Sequence, residues 1–430
     1  MTYDETLDFL YSQLPMYQRV GNQAFKKGLG NIKALLKAIG NPERKYPSIH
    51  VAGTNGKGSV SHMLAACYQA RGLKVGLYTS PHYKDFRERI KVNGAMVGKR
   101  DVVRFVQKIG RIIESVSPSF FEITVAMAFD AFRNAGVDIA IIETGLGGRL
   151  DSTNVIVPLL SVITNISFDH MEMLGDTIPK IAQEKAGIIK KGVPLVVGEW
   201  QKESAPVFRK KAAQKKASIS YASRNVKCTV VSSTWSSSTY AVSVKGEQIF
   251  KKIVLPNSGP FQAKNLATAI WAFHVLEEKY PQFDISKRQL QSGLKNLVQL
   301  TAYQGRWQVL GKKPLILADS AHNEAGLSEV IKRLSDYDKG DLHIVLGMVR
   351  EKDINNVLRH FPRQAHYYFC RPDVPRGLDA EHLKRKAEVL GFEGISYTSV
   401  RRALSSAKRK AASSDLVFVG GSSFVVAEVV

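Results

Sequence analysis

The run Gly53-Thr54-Asn55-Gly56-Lys57-Gly58-Ser59 has the residue types of a loop that binds nucleotide phosphates. Glycines let backbone N–H groups curl around phosphate oxygens, a lysine ammonium can reach the outer phosphates, and a serine hydroxyl can bind Mg²⁺. The spacing differs from the common pattern, because Val51 stands where the first glycine is expected and Gly58 separates Lys57 from Ser59. A glycine-rich turn with a surface lysine is the alternative. The flanking apolar run and helical pattern favour the phosphate loop.

Further carboxylate and histidine side chains follow two later apolar runs. Glu143 ends the run 138–143, and Asp169 and His170 follow the run 159–165. Because the carboxyl ends of parallel strands meet at one edge of a sheet, these groups are candidate Mg²⁺ ligands. The alternatives are that Glu143 is a solvated loop acid and that His170 has only a structural role. The glycines at 145–148 do not have dinucleotide-fingerprint spacing, and composition alone would place Lys185 on the surface.

The second half of the chain has a similar strand end. Asp319 closes an apolar run, and His322 and Asn323 precede a helical pattern. Asp319 or Asn323 could act simply as a helix cap or turn residue. Arg306, just upstream, is of a type that clamps phosphate with two hydrogen bonds.

Apolar runs alternating with helical patterns predict the elements that position these residues. The expected fold class is α/β: an N-terminal phosphate-loop, doubly wound domain over 1–298 and a smaller Rossmann-like α/β domain over 299–430. Strands are predicted at 48–52, 74–79, 138–144, 159–165, 193–197, 315–319, 342–346, 366–370 and 416–419. Helices are predicted at 101–115, 121–135, 178–189, 262–278, 324–334, 380–390 and 400–412. The Ser-, Thr- and Tyr-rich stretch 217–252 is expected to form a small β appendage.

Composition narrows the class of protein. The chain has 430 residues, three cysteines and a net charge of +23. Such a strongly basic chain is typical of proteins that bind nucleic acid or small polyanionic substrates. No nucleic-acid-binding motif accompanies its short runs of lysine and arginine. Three distant cysteines indicate neither a disulfide framework nor a cysteine metal site. With no signal-peptide pattern and no apolar run of membrane-spanning length, we expect a cytoplasmic protein that binds neither membrane nor nucleic acid.

Taken together, these motifs resemble folylpolyglutamate synthase, often bifunctional with dihydrofolate synthase, within the Mur-ligase-like amide ligases. The resemblance runs almost from end to end. The segments that carry it are 53–59, 79–82, 85–90, 143–154 (ETGLGGRLDSTN), 169–170, 184–188 (EKAGI), 262–265, 305–307, 319–323, 346–353 (LGMVREKD) and 420–423. Mur ligases share the phosphate loop, whereas Ser80-Pro81-His82 and ETGLGGRLD are more specific to folate enzymes.

The resemblance implies a role for each matching residue, with ATP and two Mg²⁺ ions as cofactors. The implied nucleotide contacts are Gly53, Thr54, Asn55, Gly56, Lys57, Gly58, Ser59, Asn265, Arg306 and Asp319. The implied metal ligands are Ser59, Ser80, Glu143 and His170. The implied catalytic residues are Lys57, Lys185 and His322, with Lys185 at the position of a lysine that can be carbamylated. The implied substrate contacts are His82, Phe121, Asp151, His322 and Asn323.

The chain departs from the family pattern at Phe261, where many relatives have histidine, and at Ser320, where glycine is usual. The implied reaction adds L-glutamate to a folate through an acyl phosphate. The pterin substrate stays open between dihydropteroate, tetrahydrofolate and both, and we expect a monomer. A Mur-type ligase acting on nucleotide-linked peptides is the first alternative. A phosphate-loop ATPase that binds nucleic acid is the second.

Overall fold

The computed structural model describes residues 1–12, 28–257, 259–350 and 354–430. The chain forms two compact units. The N-terminal unit comprises Met1–Val231, Thr239–Val254 and Ala263–Ala302, and the C-terminal unit comprises Ser232–Ser238, Leu255–Gln262 and Tyr303–Val430. The predicted α/β class is confirmed, and the domain boundary after residue 298 stays a prediction. The end of the predicted 346–353 motif, residues 351–353, lies outside the described residues.

An eight-stranded sheet forms the centre of the N-terminal unit. Its strands are β1 (Ser48–Ala52), β2 (Val75–Tyr78), β3 (Ile90–Val92), β4 (Ala95–Met96), β5 (Ile139–Glu143), β6 (Leu160–Ile163), β7 (Leu195–Val197) and β8 (Ile219–Tyr221). The strand order is β4-β3-β2-β5-β1-β6-β7-β8. The strands from β2 to β8 in this order are parallel, and β3 and β4 extend the edge antiparallel.

The sheet changes direction of winding at β1. The strand that follows β1 in sequence, β2, does not pair with it; β5 and β6 pair with β1 on its two sides. Val51 lies opposite Glu143, and Ala52 lies opposite Ile163, so the three strands end at the same level. In open α/β sheets, ligands bind beyond the carboxyl ends of the strands at such a switch point. The predicted phosphate loop follows β1 directly.

Helices cover this sheet. Those up to residue 302 are α1 (Tyr3–Ser12), α2 (Gly30–Ala38), α3 (Lys57–Ala70), α4 (Lys99–Val116), α5 (Phe120–Ala135), α6 (Met171–Leu174), α7 (Ile178–Lys185), α8 (Ala205–Gln214), α9 (Ala222–Asn225), α10 (Gln262–Lys279), α11 (Lys287–Lys295) and α12 (Leu297–Thr301). Residues 59–68 of α3 are all buried, because α3 lies between the sheet and α11. A helix enclosed on all sides is a rigid base for the loop that precedes it.

A separate three-stranded sheet contains β9 (Val226–Ser233), β10 (Ser237–Val244) and β11 (Glu247–Pro256), in the order β11-β10-β9. The predicted β appendage is therefore present, but it begins at Val226 rather than at residue 217. The residues before it form β8, the last strand of the main sheet, and α9.

The C-terminal unit has its own six-stranded sheet. Its strands are β12 (Gln308–Lys312), β13 (Leu315–Asp319), β14 (Leu342–Leu346), β15 (His366–Cys370), β16 (Gly394–Tyr397) and β17 (Leu416–Gly420). The order is β12-β13-β17-β14-β15-β16, with only β12 antiparallel. Its helices are α13 (Glu324–Leu334), α14 (Ile354–Leu358), α15 (Ala380–Val389), α16 (Val400–Lys410) and α17 (Ser423–Ala427).

The insertion of β17 between β13 and β14 makes a second switch point. Asp319, the last residue of β13, lies opposite Gly420, the last residue of β17. The core beneath is apolar and includes the fully buried Trp307 and Phe418. The predicted strand-end carboxylate is therefore anchored in a rigid sheet.

Among the helices that the structure describes, none combines the length and the apolar character that crossing a bilayer requires.

Candidate functional site

Close packing fixes the course of the loop Gly53–Ser59. Gly53 has a φ of +151°, and a Cβ atom there would lie 1.8 Å from the Thr164 hydroxyl oxygen. Gly56 has a φ of +82°, and a Cβ atom there would lie 2.2 Å from Oδ1 of Asn265. Both positions therefore require glycine, for conformation and for space. The same contact brings Asn265, a predicted nucleotide contact, against the loop.

The loop leads into α3, which begins at Lys57. Lys57, Gly58 and Ser59 are the first three helical residues, so their N–H groups have no acceptor within the helix. Such a helix start, with its positive dipole end, binds anions. The Lys57 ammonium folds back over the loop and donates to the carbonyl oxygens of Gly53 (3.2 Å) and Thr54 (3.1 Å). This arrangement suits a phosphate group.

Glu143 supplies a carboxylate beside the helix start. It ends β5, is 3% exposed, and its Oε2 accepts a hydrogen bond from the Ser80 N–H at 3.2 Å. A Cβ atom at Gly58 would lie 3.7–3.8 Å from both Glu143 oxygens, so the missing side chain leaves room at the carboxylate. A buried carboxylate offers the hard oxygen donors that Mg²⁺ prefers. These residues fit a magnesium ion.

His170 follows β6, on the same edge of the sheet. It has a φ of +49° and precedes α6, and its backbone N–H donates to the Asp169 carboxylate at 3.1 Å. Asp169 Oδ2 lies 3.9 Å from His170 Nε2. The two residues form a polar pair at this strand end.

Lys185 is buried, although composition alone suggested a surface residue. It is 3% exposed at the end of α7, and its Nζ donates to the Gly53 carbonyl oxygen at 2.8 Å. Burial, with a contribution from the nearby charge of Lys57, lowers the pKa of Lys185 to about 7. The structure therefore brings Lys57 and Lys185 to one carbonyl oxygen of the predicted phosphate loop. A perturbed amine in such a place marks a candidate functional residue.

An aromatic and basic cluster surrounds the predicted substrate residue His82. Arg89, which is 4% exposed, donates from Nε to His82 Nδ1 at 2.8 Å. An imidazole nitrogen that accepts from a guanidinium carries no proton, so His82 is neutral with its proton on Nε2. Burial, reinforced by the Arg89 charge, lowers the His82 pKa to about 3. Phe121, also predicted, lies with its ring centroid 6.3 Å from that of Tyr78.

Asp151 organises its own loop. Its Oδ2 accepts from the Leu146 N–H at 2.8 Å, and its Oδ1 accepts from the N–H and the hydroxyl of Thr153. Burial raises the Asp151 pKa, and these hydrogen bonds oppose the shift. The observed contacts thus hold the glycine-rich segment after β5, and the substrate contact implied for Asp151 stays a prediction.

In the C-terminal unit, Asp319 is 1% exposed and accepts backbone N–H groups from Trp307 and Ala321, both at 2.7 Å. Burial raises the Asp319 pKa, and the Arg306 charge opposes that shift. Arg306 donates to the Ser320 hydroxyl, which donates to the Gly305 carbonyl oxygen at 2.9 Å. Ser320, one of the two residues that depart from the family pattern, therefore connects Arg306 to the strand end.

Asn323 and His322 follow on the same loop. Asn323 is the N-cap of α13, accepting from the Gly326 N–H at 2.9 Å. His322 Nδ1 donates to the Ser320 carbonyl oxygen at 3.0 Å. The capping role weighed for Asn323 is present, and its substrate role stays a prediction.

Two family models match the chain. The model described as "Mur ligase middle domain" matches residues 51–273, and the one described as "Mur ligase, glutamate ligase domain" matches residues 305–423. The dihydrofolate synthase/folylpolyglutamate synthase of Bacillus subtilis is 35% identical over 374 residues, covering 85% of each chain. The chain belongs to the folylpolyglutamate synthase family. Its resemblance to that family is thereby confirmed.

Other members of this family differ in length or have been solved with ligands. A probable bifunctional folylpolyglutamate synthase/dihydropteroate synthase of Haloferax volcanii is 33% identical over the whole chain. The chain spans about half of that relative, 50% of its length. The bifunctional folylpolyglutamate synthase/dihydrofolate synthase of Yersinia pestis, complexed with AMPPNP and Mn ion, has a TM-score of 0.85 and 28% identity, with 100% of this chain and 97% of that one covered.

Sequence reasoning gave no role to Asn165 or Arg89. Asn165 is the polar last residue of the predicted strand 159–165, and that position was the available signal. Arg89 lies within the family motif at 85–90, but nothing in the sequence pairs it with His82.

Proposed function

We propose that the chain is an ATP-dependent ligase that joins L-glutamate to the terminal carboxylate of folates, and also to that of dihydropteroate. The observation that supports it most strongly is the convergence of Lys57 and Lys185 on the Gly53 carbonyl oxygen, at the start of a helix beside Glu143. The names of the relatives supply the substrate class. The charge of +23 suits a protein whose substrates are all anions.

In the proposed reaction, an oxygen of the substrate carboxylate attacks the γ-phosphorus of ATP, and the bond to the bridging oxygen breaks to release ADP. The product is an acyl phosphate. The amine of L-glutamate then attacks the acyl carbon and loses a proton, and phosphate leaves with the oxygen that it received. Without phosphorylation the leaving group would be oxide, so ATP supplies the leaving group that amide formation needs. Positioning and charge neutralisation account for most of the catalysis in such a transfer.

We assign the neutralising charge first to Lys57, above the loop carbonyls, and the phosphate contacts to the N–H groups at the start of α3. Two Mg²⁺ ions, with Ser59, Ser80, Glu143 and His170 as proposed ligands, would supply further positive charge to the phosphate oxygens. We assign Asn265, Arg306 and Asp319 to nucleotide binding. His322 and Asn323 are assigned to the transferred phosphate and the incoming glutamate.

The pterin-binding residues are proposed to be His82 and Phe121. The neutral His82 presents an Nε2–H donor, because Arg89 occupies its Nδ1. An aromatic ring such as that of Phe121 can stack on a pterin. We also propose domains at 1–298 and 299–430, a monomer, and activity in the cytoplasm, where ATP and reduced folates are available.

The proposed dual activity predicts two products. With ATP and L-glutamate, tetrahydrofolate should gain one or more glutamyl residues, and dihydropteroate should gain one, as measured by mass spectrometry. UDP-linked peptides should remain unchanged, and nucleic acid should not stimulate ATP hydrolysis. Extension of tetrahydrofolate alone would show that the dihydrofolate synthase activity is wrong. Extension of UDP-linked peptides instead would favour the Mur-type alternative.

A further inference from the structure

Asn165 occupies two consecutive N–H groups of the phosphate loop. Its backbone carbonyl oxygen accepts from the Thr54 N–H at 2.9 Å, and its side-chain Oδ1 accepts from the Asn55 N–H at 3.0 Å. The neighbouring Thr164 hydroxyl donates to the Asn55 carbonyl oxygen. Hydrogen bonds therefore hold the first half of the loop against residues 164 and 165, which follow β6. The Thr54 and Asn55 N–H groups are both engaged by Asn165.

The other end of the Asn165 amide points to a different element. Its Nδ2 donates to Glu199 Oε1 at 3.1 Å, and Glu199 Oε2 lies 3.2 Å from Nζ of Lys264. The Glu199 N–H donates to the Thr164 carbonyl oxygen at 3.1 Å, which fixes the backbone of Glu199 beside the same segment. Lys264 is the neighbour of Asn265, whose Oδ1 abuts Gly56. A chain of contacts thus starts and ends at the phosphate loop.

We propose that Asn165, Glu199 and Lys264 form a brace that positions the phosphate loop against the first turn of α10, with Asn165 as the central positioning residue for nucleotide binding. The proposal deepens the proposed function and rests on it. The Glu199–Lys264 ion pair is the weaker link, since the side chains are 27% and 52% exposed and water screens such pairs. The stronger link is the Asn165 amide, which accepts and donates at once and so needs both oxygen and nitrogen.

Asn165→Asp isolates the amide nitrogen. Aspartate has the same shape and keeps an oxygen for the Asn55 N–H, but it replaces the donor to Glu199 with an oxygen facing a carboxylate. Repulsion between the two should displace the loop and raise the Kd for ADP about tenfold or more, because small displacements at positioned groups have large effects. Where the ligase is assayed, KM for ATP should rise more than kcat falls. ADP titration by calorimetry measures this without any ligase assay.

The double variant Asn165→Asp/Glu199→Gln tests whether the lost ADP affinity can be restored. The double variant has the same total charge as the natural pair. The introduced glutamine amide can donate to the introduced aspartate carboxylate, so the hydrogen bond is restored in the reverse direction. We expect the double variant to recover most of the lost ADP affinity, whereas Glu199→Gln alone should change the Kd less than about threefold, since it keeps an acceptor for Asn165. Asn134→Asp, the same change on α5, is the control for added charge.

Each outcome decides the proposal. Recovery of ADP binding in the double variant supports the brace. An unchanged Kd in Asn165→Asp, or a raised Kd that the double variant does not recover, overturns it. If Asn165→Asp does not fold, Asn165→Ala is tested instead, because it keeps the backbone hydrogen bond to Thr54. It should weaken ADP binding, and a Kd equal to that of the unmodified protein overturns the proposal. Failure of the natural protein to bind ADP would instead contradict the proposed function.

Discussion

Replacing Lys57 with alanine should abolish amide formation and ATP turnover in a protein that remains folded. The Lys57 ammonium lies over the loop, within 3.2 Å of two carbonyl oxygens, at the start of the helix that would meet the phosphates. Charge on the transferred phosphoryl group must be balanced in the transition state, and removing one such balancing group costs about 10²–10³-fold in rate. We therefore expect the residual turnover to be ~1% or less.

The matched control is Lys37→Ala, which removes an exposed lysine on α2. This variant should turn over ATP at the rate of the unmodified protein. That result would exclude a general effect of losing one positive charge. Circular dichroism and thermal melting establish that both variants fold. A folded Lys57→Ala protein with near-normal turnover would contradict the assignment of residues 53–59 as the phosphate loop.

Alanine at position 185 should remove most of the ligase activity, and a short carboxylate such as acetate should restore part of it. A free ammonium beside two magnesium ions would be repelled by them. Reaction of the neutral amine with CO₂, with loss of a proton, gives a carbamate whose anionic oxygens suit magnesium. Burial lowers the Lys185 pKa to about 7, so the reactive neutral amine is available near neutral pH.

The pH dependence of this modification has a definite sign. Because only the neutral amine reacts, carbamylation and the activity that depends on it should fall as the pH drops below about 7. Crystals grown with bicarbonate at mildly alkaline pH should show electron density beyond Nζ of Lys185. Lys180→Ala is the control, since Lys180 is on the same helix and pairs with Asp176 at the surface. Full activity in Lys185→Ala, without acetate, would remove Lys185 from the mechanism.

The buried parallel strands were the most predictable part of the fold. Apolar runs bounded by turns predicted β1 and β13 to the residue, because strands buried on both faces are mostly apolar. The two antiparallel strands β3 and β4 were missed, since three and two residues are too few to show a period. The last strand, β8, was assigned to the appendage because it is short and half-buried at the sheet edge.

Some residues of the candidate site could also be predicted from the sequence, and others could not. Glu143 and Asp319 could be predicted to lie at the carboxyl ends of parallel strands, because that position follows from the topology of the sheet. The environment of Lys185 did not follow from the local sequence. It arises from close backbone packing, since a Cβ atom at Gly148 would lie 2.9 Å from the Lys185 carbonyl oxygen, and one at Gly187 would lie 2.2 Å from Arg149 Cα. Such long-range packing has no periodic signature.

The most direct test of the account follows the oxygen atoms of the substrate. A folate whose γ-carboxylate carries ¹⁸O is incubated with the protein, ATP and L-glutamate, and the released phosphate is analysed by mass spectrometry. The acyl-phosphate reaction transfers one carboxylate oxygen to phosphate for each amide formed. We expect released phosphate with one ¹⁸O atom and a glutamylated product that keeps the other labelled oxygen in its new amide. Unlabelled phosphate alongside a glutamylated product would contradict the acyl phosphate, and phosphate release without a glutamylated product would contradict the ligase assignment.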